Sequence, residues 1–304
     1  MVKICDVDFY FKKITRFVDH FQQPFFLAVN ILKIMIVNLA SRELSFDDVL
    51  LSNEMMLRLL QLNELKFFQE VGMKTILITG ANRGIGLEFS RQYMMAGWQV
   101  LACCRQPDAA GALNDLAAHN PGKINVHALD VANHEQIEQL SAKLSHQPID
   151  VLVNNAGIYP SSRRDDFGKT DYDAWSSAFQ VNTMAPLKMA ESFIKQITKS
   201  DSKTIVTITS KMGSIADNQR GGSYIYRSSK SAVNIVVKSL AIDLKDAGIT
   251  AVLLHPGWVR TDMGGPNGLI STEQSVTGMR QVISNLTQAD SGKFYAFDGQ
   301  IVPW

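Results

Sequence analysis

The sequence predicts an α/β fold, a doubly wound and mostly parallel sheet of about seven strands with helices on both faces. From Met73 onward, short runs rich in β-branched residues alternate with segments of helical spacing, which is typical of βαβ units. These runs are apolar along their length, as burial of a strand on both faces requires. The predicted strands are Thr75–Thr79, Gln99–Cys103, Ile124–Ala128, Asp150–Val153, Thr204–Thr209, Thr250–Leu254 and Phe294–Phe297.

Apolar residues three and four positions apart predict the helices between these strands. Right-handed crossovers through such helices complete a doubly wound arrangement. Residues 73–304 contain no internal repeat and no Pro/Gly linker, so we predict one domain over this range. The predicted helices are Ile85–Ala96, His134–Leu144, Tyr172–Thr198 and Tyr226–Ala247.

Residues 1–72 differ from the rest of the chain and leave several interpretations open. The apolar run Pro24–Ala40 contains two asparagines and a lysine, and it is shorter than the roughly 20 apolar residues of a membrane-spanning helix. Leucines three and four apart over Phe46–Val71 predict an amphipathic helix. We therefore expect a helical N-terminal extension. The alternatives are a segment outside the native fold, with Met73 as the start, and a membrane attachment.

A glycine-rich turn, Thr79–Gly86 (TGANRGIG), lies between the first strand and the first helix. Gly80 allows a tight turn, Gly84 lets the backbone approach a pyrophosphate, and Gly86 lets helix and strand pack closely. The helix amino terminus that follows offers unpaired N–H groups and a positive dipole end to phosphates. This placement predicts a dinucleotide-binding (Rossmann) fold.

The residues near the second strand favour NADP(H) over NAD(H). A site that prefers NAD ends its second strand with an acid that binds the ribose hydroxyls. Here the strand ends at Arg105 with no acid in reach, and Arg83 stands inside the glycine turn. Two guanidinium groups suit a 2′-phosphate, which a planar fork can bind through two hydrogen bonds. Each arginine alone could equally lie on the surface.

Composition excludes several other classes of function. Lys plus Arg (30) nearly balances Asp plus Glu (29), so no broad basic surface for nucleic acid is expected. The three cysteines are Cys5 and the adjacent pair Cys103–Cys104, which indicates neither a disulfide framework nor a zinc site. We expect the pair to pack at a strand end. A cytoplasmic location, no metal and a small-molecule substrate are the resulting expectations.

Tyr226 and Lys230 stand four residues apart at the start of a predicted helix. That spacing places them one turn apart on the same face. A tyrosine titrates near 10, so a nearby ammonium group would stabilise its phenolate and make it a better proton donor. Tyr224 lacks this pairing, because the residue four positions after it is Ser228.

From Met73 to its end the chain resembles the short-chain dehydrogenase/reductase family, and within it the C-factor-like and sniffer-like carbonyl reductases. The motifs that carry the resemblance occur in the family's order. They are TGANRGIG (79–86), LDV (129–131), NNAG (154–157), VNTMAP (181–186), VTITS (206–210), YRSSK (226–230) and HPGWVRTDM (255–263). A GGPN segment at 264–267 and the ending FDG…PW support the narrower likeness.

The resemblance implies four catalytic residues. Tyr226 is the general acid, and Lys230 tunes it and binds the nicotinamide ribose. Ser210 hydrogen-bonds the substrate oxygen; its gap to the tyrosine is longer than in many members, so Ser214 is the alternative. Asn182 holds a helix kink and a water that relays protons, although Ala185 stands at the usual glycine of this motif.

The resemblance also implies the cofactor contacts. Asp130 and Val131 would meet the adenine, the segment after Pro256 would wrap the carboxamide, and Met263–Thr277 is expected to be a loop that covers the substrate. The cofactor-binding residues predicted in this way, with those of the glycine turn, are Gly80, Asn82, Arg83, Gly84, Ile85, Gly86, Arg105, Asp130, Val131, Asn155, Ala156, Gly157, Tyr226, Lys230, Pro256, Gly257, Val259 and Thr261.

The resulting prediction is an NADPH-dependent oxidoreductase that interconverts a carbonyl and an alcohol by hydride transfer, a carbonyl reductase. The alternative is a C-factor-like signalling or regulatory protein that binds a dinucleotide without turnover. The family's habit of pairing through its long helices implies a homodimer or homotetramer. The substrate is not predicted.

Overall fold

The structure, a computed structural model, describes residues 73–159 and 167–304. The predicted extension over 1–72, including the amphipathic helix of Phe46–Val71 and the apolar run Pro24–Ala40, lies outside the described residues. The boundary of the domain at Met73 therefore stays a prediction.

Seven parallel strands form one sheet in the order β3-β2-β1-β4-β5-β6-β7, which confirms the predicted doubly wound fold. The order reverses between β1 and β4, so the chain turns to opposite sides of the sheet at this point. Two predicted strands match to the residue, four differ by one residue at one end, and the fourth strand differs by one residue at both ends. The strands are β1 (Thr75–Thr79), β2 (Gln99–Cys104), β3 (Ile124–Ala128), β4 (Val151–Asn154), β5 (Thr204–Ile208), β6 (Thr250–His255) and β7 (Phe294–Ala296).

Seven α-helices connect or flank the strands in the described part of the chain. The predicted helices are present, and the last of them runs from Tyr224 to Asp243 rather than from Tyr226 to Ala247. A π-helical turn, Gln180–Met184, interrupts the segment predicted as Tyr172–Thr198. The helices are α1 (Gly84–Met95), α2 (Gly111–Ala118), α3 (His134–Lys143), α4 (Tyr172–Phe179), α5 (Ala185–Thr198), α6 (Tyr224–Asp243) and α7 (Thr272–Ser284).

The prediction of a loop over Met263–Thr277 is wrong from Thr272 onward, where α7 begins. Ser271 accepts a hydrogen bond from the Gln274 amide, and the Gln274 side chain accepts one from the Ser271 amide, which forms a capping box. Val276 and Met279 are then fully buried against the sheet. The capping residues and the apolar residues at helical spacing therefore determine the structure from Thr272 onward, although the glycines before them favour a loop.

Two hydrophobic clusters lie on opposite faces of the sheet. Successive residues of β1 alternate between them: Leu77 belongs to the cluster under α3, α5 and α6, whereas Ile76 and Ile78 belong to the cluster under α1, α2 and α7. All three side chains are fully buried. The apolar strands predicted from the sequence are therefore covered on both faces. None of the helices in the described ranges is long and apolar enough to span a membrane.

Gly86 brings α1 against the end of β1. A Cβ atom at Gly86 would lie 2.2 Å from the Gly80 carbonyl oxygen and 2.6 Å from Nδ2 of Asn155. Real Cβ atoms do not approach backbone this closely, so only glycine fits without a shift of the turn. This contact is the close helix–strand packing that the glycine pattern predicts.

We predict that Gly86→Ala lowers the free energy of unfolding by about 1–3 kcal/mol, because the added methyl group must displace backbone atoms of the turn. Gly111→Ala is the matched control, since Gly111 begins α2 and a Cβ there would meet nothing within 4 Å. Urea unfolding of both variants measures the difference. Equal stability of the two variants would contradict the packing role of Gly86.

Candidate functional site

The carboxyl ends of β1 and β4 meet at the point where the strand order reverses, and hydrogen bonds join their loops. The Thr79 hydroxyl accepts hydrogen bonds of 3.0 Å from the amides of Asn155 and Ala156. In return, Nδ2 of Asn155 donates to the carbonyl oxygens of Thr79 (2.8 Å) and Gly80 (3.2 Å). The NNAG motif thus holds the glycine turn in place, at the position where open α/β sheets bind ligands.

The glycine turn leaves the amino terminus of α1 open towards this crevice. Gly80 and Gly84 have φ values of 67° and 55°, in the left-handed region that glycine adopts without strain. Arg83, the residue before the helix, provides no side-chain cap, and the first turn contains no acidic residue. The first amides of α1 and the positive dipole end are therefore available to an anion.

A cleft of about 700 Å³ extends from the glycine turn along the carboxyl ends of the strands. Its walls include 16 of the 18 cofactor contacts predicted from the sequence. Those residues are Gly80, Asn82, Arg83, Gly84, Ile85, Gly86, Arg105, Asp130, Val131, Asn155, Ala156, Gly157, Tyr226, Lys230, Pro256 and Thr261.

The other two predicted contacts, Gly257 and Val259, are not among the residues that line the cleft. Val259 is buried, with 4% of its surface exposed, and it forms a β-bridge with Ile270. A Cβ at Gly257 would lie 2.7 Å from Cδ1 of Ile270. Both residues pack against Ile270 beside the cleft, and their contact with a cofactor stays a prediction.

One end of the cleft carries the two arginines predicted to face a 2′-phosphate. Arg105 follows β2, is exposed and lines the cleft. Arg83 also lines the cleft and forms an ion pair with Asp262, a residue of the segment after β6. Both partners of that pair are exposed, so it is a weak interaction that a stronger anion can replace.

The adjacent cysteines are buried within β2 rather than placed at the surface. Burial raises the pKa of both thiols, most strongly that of Cys103. A thiol with a raised pKa is a poor nucleophile. The structure thus agrees with the prediction that the pair packs at the end of the strand.

The π-helical turn places Asn182 at the centre of a hydrogen-bond network. Its Oδ1 accepts a bond of 2.9 Å from the amide of Ile158, and its Nδ2 donates to the Ile158 carbonyl (2.9 Å) and to the Ser229 hydroxyl (3.0 Å). Only 1% of Asn182 is exposed. The helix is interrupted at Asn182, and the Asn182 side chain is fully hydrogen-bonded. Both features fit the predicted kink.

Tyr226 and Lys230 lie one turn apart on α6, as predicted, and both are buried. The Lys230 ammonium lies 5.8 Å from the centre of the Tyr226 ring and donates a 3.0 Å hydrogen bond to the carbonyl of Ile208. A Cβ at Gly157 would lie 3.6 Å from the same ammonium, so the NNAG loop passes beside it. The helix therefore directs the phenol and the ammonium into the same end of the cleft.

Burial is the largest influence on the pKa of Tyr226 and on that of Lys230. Burial raises the pKa of Tyr226 to about 12, a hydrogen bond with Ser210 lowers it, and the nearby Tyr159 raises it. Burial also lowers the pKa of Lys230 to about 8. Desolvation acts on both groups in this way because it disfavours the charged form of each.

Ser210, two residues beyond β5, is the serine whose hydroxyl lowers the pKa of Tyr226. Its hydroxyl also accepts a 3.1 Å bond from the Met212 amide, which caps the short helical turn Lys211–Gly213. The alternative serine, Ser214, donates to the backbone oxygen of Trp304 and accepts from the Asp217 amide. The geometry therefore favours Ser210 over Ser214 as the serine of the site.

Two residues of this region were missed by reasoning from the sequence. The Ser229 hydroxyl accepts the bond from Asn182 and donates a 2.9 Å bond to the Tyr226 carbonyl, so it links the π-turn to α6. Tyr159 lies with its ring centre 4.5 Å from that of Tyr226. Ser229 could have been predicted from its position inside the YRSSK motif. Tyr159 stands in a polar stretch of sequence, and no motif or spacing marks it as part of the site.

No cluster of His, Cys, Asp or Glu suited to a metal ion occurs within 73–159 and 167–304. The chemistry available to the described site is that of a phenol, an ammonium, a hydroxyl and an amide beside an anion-binding crevice. These groups can bind a nucleotide, orient a small polar molecule and transfer a proton.

Comparisons with known proteins agree with this arrangement. C-signal of Myxococcus xanthus is 41% identical over 157 residues, which are 52% of this chain and 93% of that protein. The NADPH-bound carbonyl reductase from chicken fatty liver has a TM-score of 0.71 and 34% identity, and covers 76% of this chain and 99% of its own. The carbonyl reductase Sniffer of D. melanogaster has a TM-score of 0.71 and 33% identity, over 77% of this chain and 100% of its own.

A sequence model of the family described as short chain dehydrogenase matches residues 74–269, which contain the glycine turn, the π-turn and the start of α6. The match spans most of the sheet and every residue of the proposed proton-transfer site. The chain belongs to the short chain dehydrogenase family.

Proposed function

We propose that this chain is an NADPH-dependent carbonyl reductase that interconverts a carbonyl compound and an alcohol. The observation that carries the proposal is that Tyr226 and Lys230 are buried together in the wall of the cleft, with Ser210 beside the phenol and Asn182 linked to the Tyr226 backbone through Ser229. Membership of the short chain dehydrogenase family and the likeness to two carbonyl reductases support the same reaction class.

The residues of the cleft fit a dinucleotide. The uncapped amino terminus of α1 and the left-handed glycines suit the pyrophosphate, and Arg83 and Arg105 suit a 2′-phosphate. The chicken carbonyl reductase has NADPH bound in its structure, which supports the same choice here. When bound, the reduced nicotinamide supplies a hydride to the carbonyl carbon.

Tyr226 donates the proton that the carbonyl oxygen needs as it becomes an alcohol. With its pKa raised to about 12, the phenol is protonated at neutral pH and therefore holds the proton that the reduction requires. Ser210 holds the substrate oxygen by a hydrogen bond that strengthens as negative charge develops there. The Ser210 hydroxyl is close enough to the phenol to lower the pKa of Tyr226, so the two groups face the same small region.

Lys230 compensates the charge that proton transfer leaves on Tyr226. Its pKa of about 8 keeps most of the ammonium groups protonated at neutral pH. From its bond to the Ile208 carbonyl it faces the phenol across 5.8 Å, where a positive charge in a low-dielectric site favours the phenolate. Asn182 keeps the loop after β4 and the helix α6 in register around the pair.

The assembly and location that we propose are those expected from the sequence. Ile235 and Ile242 are exposed at 62% and 65% on α6, and such residues suit an interface through the long helices of a homodimer or homotetramer. A small-molecule carbonyl or alcohol is the proposed substrate, and the cytoplasm is the proposed compartment.

A regulatory protein that binds a dinucleotide is the second candidate, favoured by the identity with C-signal. Such a protein needs the glycine turn but has no use for a buried phenol paired with a buried ammonium. Because the chain buries both groups in the wall of the cleft, the enzyme is the stronger proposal. Binding of NADPH without turnover of any carbonyl compound would favour the regulatory protein.

We predict that the chain oxidises NADPH in the presence of an aldehyde or ketone from a broad panel and that Tyr226→Phe lowers kcat by about 100-fold or more. The phenylalanine keeps the ring and removes only the proton donor, so NADPH affinity should stay within about twofold of wild type. Absorbance at the NADPH band and fluorescence titration measure the two quantities.

Tyr224→Phe is the matched control, because it removes a hydroxyl from the same helix at a residue that is 40% exposed. It should retain the wild-type kcat. Equal turnover by wild type and Tyr226→Phe would overturn the assigned proton donor.

We predict that Arg105→Asp shifts the preference for NADPH over NADH by at least about tenfold, since a charged hydrogen bond to the 2′-phosphate is replaced by a repulsion. The ratio of kcat/KM for the two cofactors measures the shift. Lys123→Asp makes the same change of net charge at the exposed residue before β3, at the amino ends of the parallel strands, and should leave the ratio unchanged. An unaltered ratio in Arg105→Asp would place the phosphate elsewhere.

We predict that kcat for carbonyl reduction falls as the pH rises through about 8, the pKa of Lys230. Lys230 is charged below this pH and neutral above it, so the phenolate loses its compensating charge at high pH. Initial rates over a pH series measure the profile, and circular dichroism at each pH confirms that the chain is folded. A rate that stays constant well above this pH would show that the ammonium charge is not required.

A further inference from the structure

We propose that Tyr159 is a positioning residue for Tyr226, a role that rests on the proposed reduction reaction. Tyr159 follows the NNAG loop, on a different part of the chain from α6. Its ring centre lies 4.5 Å from that of Tyr226, with 38° between the ring planes. This separation is within the range of favourable aromatic pairs, which prefer tilted or offset arrangements.

The hydroxyl of Tyr159 is bonded to the start of the helix that carries Tyr226. The hydroxyls of Tyr159 and Ser223 share a hydrogen bond of 3.0 Å. Ser223 is the residue before α6, and its carbonyl accepts the Arg227 amide of the first turn. Tyr159 therefore contacts the phenol through its ring and the helix entrance through its hydroxyl.

The backbone at this entrance needs such a partner. Gly221, Gly222 and Ser223 have φ values of 62°, 61° and 49°, three successive residues in the left-handed region. Glycine adopts this conformation freely, whereas a serine does so at a cost and persists there only when its surroundings hold it. A glycine at position 223 would adopt this conformation more easily, but it would have no hydroxyl to bond Tyr159.

Tyr159 is itself held in place by the residues that organise the site. Asn182 bonds both the amide and the carbonyl of Ile158, the residue before Tyr159. The same asparagine bonds Ser229, one turn along α6 from Tyr226. Tyr226 is thus fixed from both sides, by the Asn182–Ser229 link at its own backbone and by Tyr159 at its ring.

The first test compares Tyr159→Leu with wild type. Loss of the ring lets the phenol move, and a displacement of about 1 Å lowers kcat by roughly 10- to 100-fold. KM for the carbonyl compound and the Kd for NADPH should change by less than about twofold, because neither quantity depends on the alignment of the proton donor. Tyr172→Leu is the matched control, since Tyr172 is exposed at 74% on α4.

The second test separates the ring from the hydroxyl. Tyr159→Phe keeps the ring and should restore most of the activity lost in Tyr159→Leu, with a kcat roughly two- to tenfold below wild type for the lost hydrogen bond. Ser223→Gly removes the other hydroxyl while suiting the left-handed backbone, and should give a similar loss. If the two hydroxyls act as a pair, the double variant is no slower than either single variant.

The third measurement does not depend on turnover. With ¹³C-labelled tyrosine, the ring signal of Tyr226 is identified by its absence in Tyr226→Phe. It should shift and broaden in Tyr159→Leu and remain unchanged in Tyr172→Leu. A wild-type chain that reduces no carbonyl compound would defeat the proposed function, and the ring signal would still support or refute the contact.

Two results would overturn the positioning role: an unchanged Tyr226 signal in Tyr159→Leu, or a kcat within about twofold of wild type in that variant. A rise in KM with an unaltered kcat would instead show that Tyr159 acts on substrate binding alone, and would overturn it as well.

Discussion

The site depends on the side chain of Asn182, because this one amide joins the three parts of the chain that must meet. It bonds the backbone of Ile158 after β4 and the hydroxyl of Ser229 on α6, from a π-turn that belongs to neither. Ser229 in turn bonds the carbonyl of Tyr226. The loop after β4 and the helix α6 therefore have a fixed relation that backbone hydrogen bonds within single elements cannot provide. Full burial makes each of these bonds costly to lose.

The sheet brings these parts close enough for the amide to reach them. The carboxyl ends of β1, β4 and β5 lie side by side, so the glycine turn, the NNAG loop and Ser210 follow neighbouring strands. Gly213, next to Ser210, lets the turn after β5 approach α6, since a Cβ there would lie 2.8 Å from the backbone carbon of Lys230. Small residues at the crossing points thus bring the serine, the tyrosine and the lysine together.

The sequence was most informative where a pattern repeats or a motif has a physical reason. The strands could be predicted because burial on both faces leaves an apolar run, and Thr75–Thr79 and Ile124–Ala128 match to the residue. The glycine turn and the pairing of Tyr226 with Lys230 could be predicted, because each requires particular residue types at a fixed spacing in the sequence. The helix α7 was missed because Gly264, Gly265 and Gly268 suggested that the loop continued, although Ser271 and Gln274 already formed a start signal. The contacts of Tyr159 could not be predicted from the sequence, because its partners Ser223 and Tyr226 are distant along the chain and only the fold brings them together.

Burial has a chemical consequence that the spacing of Tyr226 and Lys230 did not indicate. On spacing alone, the ammonium should lower the pKa of the phenol. In the folded chain desolvation acts on both groups, raising the pKa of Tyr226 to about 12 and lowering that of Lys230 to about 8. At neutral pH both groups hold their protons, so the phenol is a donor and not a base. A protonated phenol beside an ammonium group is the state that the proposed carbonyl reduction needs at its start. The same burial that packs α6 against the sheet therefore sets the protonation state of both groups.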